Sequence, residues 1–395
     1  MSSFSQIGRL ILVSIPGISS RLGLSSIVVF STAGVTAVLV SLLGMGEGLE
    51  RTLAQGGRPD RIVVVSTGAE SELTSGFSQQ AADVVMNAPG IAVSGQRSPV
   101  ASAESVGTLS APERKSGVLG NVVLRGVGPH VLELRPELRI IEGRMFRPGL
   151  RELVVGRAAR DRFAGLTVGS NVALSDGDWP VVGVFSNNGD ARESEILADA
   201  ETVLASHKQK QFQSVTARLQ STDAFAGVSK AIKARPDLSL DVHRESDYYR
   251  QRSQSASSKV YLLSYVVGGI MALGAIFAGL NSTFTAVRAR TREIATLRAI
   301  GFGGAPVIGS VMCEALLLAI CGAAIGAALA WLVIDGRMAS TGGGFTSGNV
   351  TFRLTVTTLD AAVAAIAAIL IGVIAGLFPA IRAARVPVSQ GLMST

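Results

Sequence analysis

Val260–Val287 reads VYLLSYVVGGIMALGAIFAGLNSTFTAV and contains no charged residue. A helix rises about 1.5 Å per residue, so this stretch is long enough to cross roughly 30 Å of hydrocarbon, whereas buried helices of soluble cores keep such purity for about 10–14 residues. Two further stretches, Leu24–Met45 and Ala361–Ile381, are equally free of charge, and Gly301–Ile334 carries only Glu314. The chain therefore reads as a membrane protein with four spanning helices. Its composition agrees: 16% of residues are charged, 48% are hydrophobic, and mean hydropathy is +0.41. A soluble chain carries about 25% charged residues.

Charge sets the orientation. The segments before the first span, between the second and third, and after the fourth hold Arg9, Arg21, Arg288, Arg290, Arg292, Arg298, Arg382 and Arg385 against one acid, Glu293. That surplus equals the whole formal charge of +7. Short loops rich in arginine stay inside, so both termini are expected in the cytoplasm and the large region between the first two spans outside it. The basic pI of about 9.8 is thereby explained without nucleic acid. Arg9 and Arg21 ahead of an apolar run resemble a secretory signal, but the run is too long and no A-x-A site follows it, so an uncleaved anchor is expected. Cys313 and Cys321 both fall in the third span, leaving the outer region without a disulfide framework.

The expected organisation is an amphipathic cytoplasmic segment over 1–23, with Phe4, Ile7, Leu10 and Ile11 at helical spacing, then spans at 24–46, 260–287, 302–334 and 361–381. The outer domain is expected over 47–259, an inner helix over 288–301, an outer loop over 335–360 and a cytoplasmic tail over 382–395. The first helix continues through Glu47, Leu49, Glu50, Arg51, Leu53 and Ala54 until Gly56, Gly57 and Pro59 end it, and Glu245–Lys259 leads without Gly or Pro into the second. Both read as stalks. Between them, Arg61–Val65, Ser78–Ala88, Ile91–Val106, Ser214–Leu219, Asp223–Ala234 and Leu238–His243 alternate strand, helix and strand patterns, as two β-α-β units of a split α+β domain. The turn-rich stretch 121–206 reads as a β-rich subdomain inserted into it.

No G-x-x-x-x-G-K-[ST] occurs, and His130, His207 and His243 are scattered without partners at ligand spacing. No cofactor, metal or covalent chemistry is expected in this chain. In the inner loop Ile294, Leu297 and Ile300 form an apolar stripe beside polar Arg292, Glu293, Thr296 and Arg298, with Gly301 as the helix stop. Small residues recur at every fourth position, Gly322, Gly326 and Ala330 in the third span and Ala364, Ala368, Gly372, Gly376 and Ala380 in the fourth, which suits close helix packing. Glu314 stands inside a span at a cost on the order of 3 kcal/mol. It reads either as a proton or substrate contact or, preferably, as a hydrogen-bond partner of Asn281 or Ser282 on the second span or of a neighbouring chain.

The run Asn281-Ser-Thr-Phe-Thr-Ala-Val-Arg-Ala-Arg-Thr-Arg-Glu-Ile-Ala-Thr-Leu-Arg-Ala-Ile-Gly301 resembles the N-x-x-x-x-V-x-E-R-T-R-E-I-G-x-L-R-A-L-G pattern of MacB-like and FtsX-like ABC transporter permeases. It departs from it with Arg288 and Ala289 in the Glu-Arg region and Ala295 for a glycine. Glu314-Ala-Leu-Leu-Leu is similar to the family's third helix, and Gly376-Leu-Phe-Pro-Ala-Ile-Arg-Ala-Ala-Arg-Val-Pro387 to its ending. Weaker likeness lies in Leu153–Arg157, Gly165–Gly169 and Trp179–Val184. The resemblance implies a non-catalytic permease subunit of a mechanotransmission machine, in which a coupling helix after the second span contacts a separate ABC ATPase that binds ATP and Mg. Arg292, Glu293, Leu297 and Arg298 are the contacts implied. It also implies a second permease chain, as a homodimer, and a periplasmic adaptor or lipoprotein partner. The work done would be export or extraction from the periplasm or outer leaflet. The alternative is FtsX-like signalling that activates a cell-wall hydrolase without transport. An ATPase-independent receptor would need an inner signalling domain, for which the inner segments are too short.

Overall fold

The computed structural model describes residues 22–95, 98–174, 176–300, 303–341 and 350–385. The expected amphipathic segment at 4–15, Gly301 and the last ten residues lie outside them. The chain divides into two compact units, one holding the apolar helices and the other comprising Gly48–Ser257 with Met338–Arg353.

The apolar unit contains helices long enough to cross a membrane at Ser25–Ala54, Glu245–Ala289, Gly304–Ile334 and Thr358–Arg385, the outer ends of the first two belonging to the other unit. The second is one uninterrupted helix of 45 residues. The fourth begins three residues before the apolar run because Thr357 and Asp360 cap each other: the Thr357 N–H donates to the Asp360 carboxylate at 3.0 Å, and the Asp360 N–H to the Thr357 hydroxyl at 3.2 Å. It then passes through buried Pro379 to Arg385. Packing runs through the small residues. A Cβ on Gly322 would sit 2.7 Å from the Val29 carbonyl, and one on Gly326 would collide with the Ala33 carbonyl and lie 2.9 Å from Thr36 Cβ, both on the first helix. Gly372 and Gly376 meet Ala319 and Ala315 of the third helix in the same way, each at 2.8 Å. Ala330, Ala364, Ala368 and Ala380 are buried beside them.

The inserted unit is built on one ten-stranded mixed sheet. Its strands are β1 (Arg61–Ser66), β3 (Ala101–Pro112), β4 (Leu119–Val127), β5 (Arg139–Gly143), β6 (Leu153–Gly156), β7 (Asn171–Leu174), β8 (Gly177–Ser186), β9 (Glu195–Asp199), β11 (Ser214–Arg218) and β12 (Leu240–Arg244). Short strands β2 (Phe77–Ser78) and β10 (Gln211–Phe212) pair apart from it. The order β12-β1-β11-β3-β4-β9-β6-β8-β5, with β7 beside β8, shows how the β-rich stretch read at 121–206 is inserted: it continues the sheet of the first half. The long β3–β4 hairpin, paired from Ser105↔Gly126 to Pro112↔Leu119, carries the ladder from one half into the other, so the inserted stretch extends the same sheet.

Two helices cover the first half: Gln79–Met86, whose N-cap Ser78 accepts the Ala81 N–H, and Ala224–Lys233, where Asp223 occupies the cap position without making the side-chain bond expected of it. Their Val85, Val228 and Ile232 close over Ile62, Val64, Val215 and Val242. On the opposite face of β1, Val63 and Val65 pack against Tyr248 and Tyr249. Both tyrosines belong to the core of the inserted unit. In the second half Trp179 is fully buried with Phe163, Leu166 and Ile196, its indole N–H donating to Asp176 at 3.0 Å. The expected outer loop carries a hairpin, β13 (Met338–Ser340) with β14 (Thr351–Arg353); the Thr351 N–H donates to Ser194 Oγ at 3.0 Å and Phe352 is buried.

Candidate functional site

Two constellations stand out, one in each unit. In the apolar unit the second helix stops at Ala289, Arg290 takes a non-helical conformation, and a short helix follows over Thr291–Ala299. The break is local: the Thr291 hydroxyl turns back onto the Arg288 carbonyl at 2.8 Å, which competes with the helix ladder. Ile294 seats the short helix in a cluster with Val287, Val307 and Ala383 from the second, third and fourth helices. Arg292 and Glu293 face outward, while Leu297 and Arg298 are half-buried. Ile300 departs from the expected stripe. It lies past the last helical turn and is 69% exposed, so the free face of the loop presents Arg292, Glu293, Thr296 and Ile300.

Glu314 does not meet Asn281 or Ser282. Its carboxylate accepts from Arg290 Nη1 at 2.9 Å, with both side chains largely shielded. Asn281 is exposed and Ser282 buried on the second helix. The correction has a simple cause: a carboxylate in a low-dielectric setting is neutralised far better by a guanidinium than by an amide, and the end of the second helix brings one within reach.

Sequence reasoning missed the second constellation, a network of charged side chains buried in the inserted unit. Arg125, 3% exposed, donates to Glu72 at 3.0 Å, Glu104 at 2.7 Å and Glu195 at 2.7 Å. Arg192 lies 3.7 Å from Glu195 and donates to Tyr249 Oη at 2.8 Å. Arg61 and Arg135 share the fully buried Glu245, at 2.6 and 2.5 Å, and the Arg58 N–H adds a third bond at 3.1 Å. Glu245 is the first residue of the second long helix, so this network is what fastens that helix to β1 and to the segment after β4. Burial alone would push the Glu72 carboxyl up; the Arg125 charge and hydrogen bonds more than reverse it and hold it well below the usual range. Arg125 is itself held well above its ordinary value by Glu195, Glu72 and Glu104 against its own desolvation. The one available signal was arginine or glutamate interrupting an apolar strand, as in VVLRGV around Arg125 and ASAESV around Glu104.

Asp190 is the odd member. Its carboxylate accepts the Arg192 N–H at 3.0 Å and the Asn187 amide at 2.6 Å. Burial pushes its pKa from 3.8 up to about 6, against the lowering pull of Arg192 and Arg135. A raised folded pKa means that the native state holds the proton more tightly, so the associated stability is complete below about pH 4 and is lost as pH rises through about 6. Asp190→Asn should remove this slope and raise stability at pH 7.5 by on the order of 2 kcal/mol. Urea unfolding of the inserted unit in the full chain at pH 5 and pH 7.5 tests it, and an unchanged pH slope in the variant would refute it.

Comparison with known proteins bears on both units. The MacB-like periplasmic core domain matches residues 25–235, more than half of the chain, and the FtsX-like permease C-terminal matches residues 265–388. The chain belongs to the MacB/FtsX-like family of ABC transporter permeases. This permease is 30% identical over 188 residues to the macrolide export ATP-binding/permease protein MacB of Shewanella sp. (strain ANA-3), covering 45% of this chain and 26% of that protein. It is 28% identical over 244 residues to MacB of Shewanella oneidensis, 58% of this chain and 35% of that one. With the pyoverdine export ATP-binding/permease protein PvdT of Pseudomonas putida it shares 25% over 259 residues, 61% of this chain and 38% of that one. The permease thus spans well under half the length of these relatives. Among solved structures, the extracellular domain of the noncanonic ABC-type transporter YknZ from Gram-positive bacteria overlaps 46% of this chain and 99% of that domain, at a TM-score of 0.36 and 16% identity.

Proposed function

We propose that this permease couples ATP hydrolysis by a separate ABC ATPase to movement of its periplasmic domain, and so exports or extracts a substrate from the periplasm or outer leaflet. The observation that carries the reading is the short helix Thr291–Ala299: anchored by Ile294, it leaves Arg292 and Glu293 free for a partner, on the loop whose arginines mark it as cytoplasmic. Leu297 and Arg298 complete the contact surface. The permease works as a pair of identical chains with two ATPases, which bind the ATP and Mg. The relatives named as macrolide and pyoverdine exporters support export over signalling to a cell-wall hydrolase. An adaptor or lipoprotein on the periplasmic side belongs to the same proposal.

Glu293→Arg places a repulsive charge where the partner must dock. It should weaken ATPase binding by about tenfold, ~1.4 kcal/mol, and abolish coupled transport while leaving the thermal midpoint of the purified permease unchanged. Wild-type coupling in this variant would contradict the assignment.

A further inference from the structure

We propose that the Arg290–Glu314 ion pair is a strut through which displacement of the short helix is delivered to the third membrane helix and, through that helix, to the first. The inference rests on the coupling role proposed above and adds a positioning function for Arg290, the residue at the break.

The short helix is attached to its surroundings in two ways. Ile294 makes a non-directional apolar contact with Val287, Val307 and Ala383, which tolerates sliding. Arg290 makes a directional one, 2.9 Å from Nη1 to Glu314 Oε2, with the side chains 15% and 17% exposed. Arg290 is the N-cap of the short helix and directly follows the last residue of the second, so a force on Arg292 and Glu293 reaches it within one turn. The second helix receives that force along the chain. The third receives it at Glu314, on its own continuous helix Gly304–Ile334.

Eight and twelve residues further along this helix stand Gly322 and Gly326, the two positions where the backbone of the first helix comes too close to admit a side chain. Two helices in contact at that distance move as one, because interlocked backbones have no compliant side chains between them to absorb a shift. The path therefore runs from Arg290 to Glu314, along one rigid helix, and across Gly322 and Gly326 to Val29, Ala33 and Thr36. It uses neither the apolar cluster nor the second helix. This also accounts for a carboxylate that insertion energetics disfavours: Glu314 is retained as a directional contact that an apolar side chain cannot supply.

The test uses the full chain in lipid nanodiscs with the ATPase it binds, and follows hydrogen exchange of Gly48–Ala54 at the outer end of the first helix with and without a non-hydrolysable ATP analogue. Wild type should show a nucleotide-dependent change there. Glu314→Gln and Arg290→Gln should bind the ATPase with unchanged Kd yet lose that change by about fivefold or more. The swap Arg290→Glu with Glu314→Arg should recover it. The apolar pair Arg290→Met with Glu314→Leu keeps the seam packed, and should retain the thermal midpoint while still losing the response. A full nucleotide response in the single variants or in the apolar pair, or a swap no better than the singles, overturns the strut and leaves the coupling function standing. A wild-type chain that binds no ABC ATPase overturns both.

Discussion

Replacing Arg125 with leucine should destabilise the inserted domain by on the order of 3–5 kcal/mol, because it removes the cation hydrogen-bonded to three buried carboxylates. Glu72, Glu104 and Glu195 would remain in a low-dielectric interior with only longer contacts, Arg252 at 4.0 Å from Glu72 and Arg192 at 4.0 and 3.7 Å from Glu104 and Glu195. The native state would then have to bind protons or admit water, and either route breaks the ladder between β3, β4 and β9, on which Glu104, Arg125 and Glu195 stand. Such a loss is a large share of the 5–15 kcal/mol that a domain typically possesses. Arg125→Lys should recover little, since an ammonium cannot reach three carboxylates from one position. Urea unfolding monitored by hydrogen exchange in these strands measures the effect. A midpoint within about 0.5 kcal/mol of wild type would show that the network contributes nothing to stability.

Gly326→Leu should pry the first and third membrane helices apart. Even a Cβ at this position collides with the Ala33 carbonyl, and backbone cannot rotate away as a side chain can. Overpacking of this kind costs about 1–3 kcal/mol in tolerant cores; here the obstruction is main chain, and the upper end is expected. Gly274→Leu provides the control, because a Cβ there meets nothing within 4 Å. The first variant should lower the thermal midpoint in detergent and abolish the transport proposed above, and the second should do neither. Equal tolerance of both would mean that the close approach at Gly326 is not needed.

Much of the architecture was legible from residue order. Three charge-free runs and a fourth interrupted only by Glu314 are longer than the apolar stretches that soluble cores usually bury, so four candidate spans followed from length and composition. The glycine and alanine rows were likewise readable, since a period of four on a helix puts every member on one face. The boundaries were less so. The Thr357–Asp360 cap starts the fourth helix before its apolar run, and the helix continues past Pro379 to Arg385, because backbone hydrogen bonding and not hydrophobicity sets where a helix ends.

The loop after the second long helix was legible as an amphipathic helix, whereas the Glu314 partner of its N-cap residue was not. Arg290 and Glu314 are separated by 24 residues, and only the folded third helix brings them together. Tyr248 and Tyr249 show the same limit: local sequence describes an aromatic pair near a membrane boundary, and the register of β1 turns it into core.

Sequence by itself determined four candidate spans, an inserted α+β domain and a basic loop able to form a short helix, because hydropathy, charge bias and helical period are properties of contiguous residues, while the permease reading rested on the family motifs it resembles. Tertiary structure alone decided that the inserted stretch joins one sheet, that Glu314 answers to Arg290, and that Arg61, Arg125, Arg135 and Arg192 gather their glutamates in the interior. Each of these is a pairing of residues distant in the chain, and the desolvation that gives such a pair its strength exists only once the fold has excluded water.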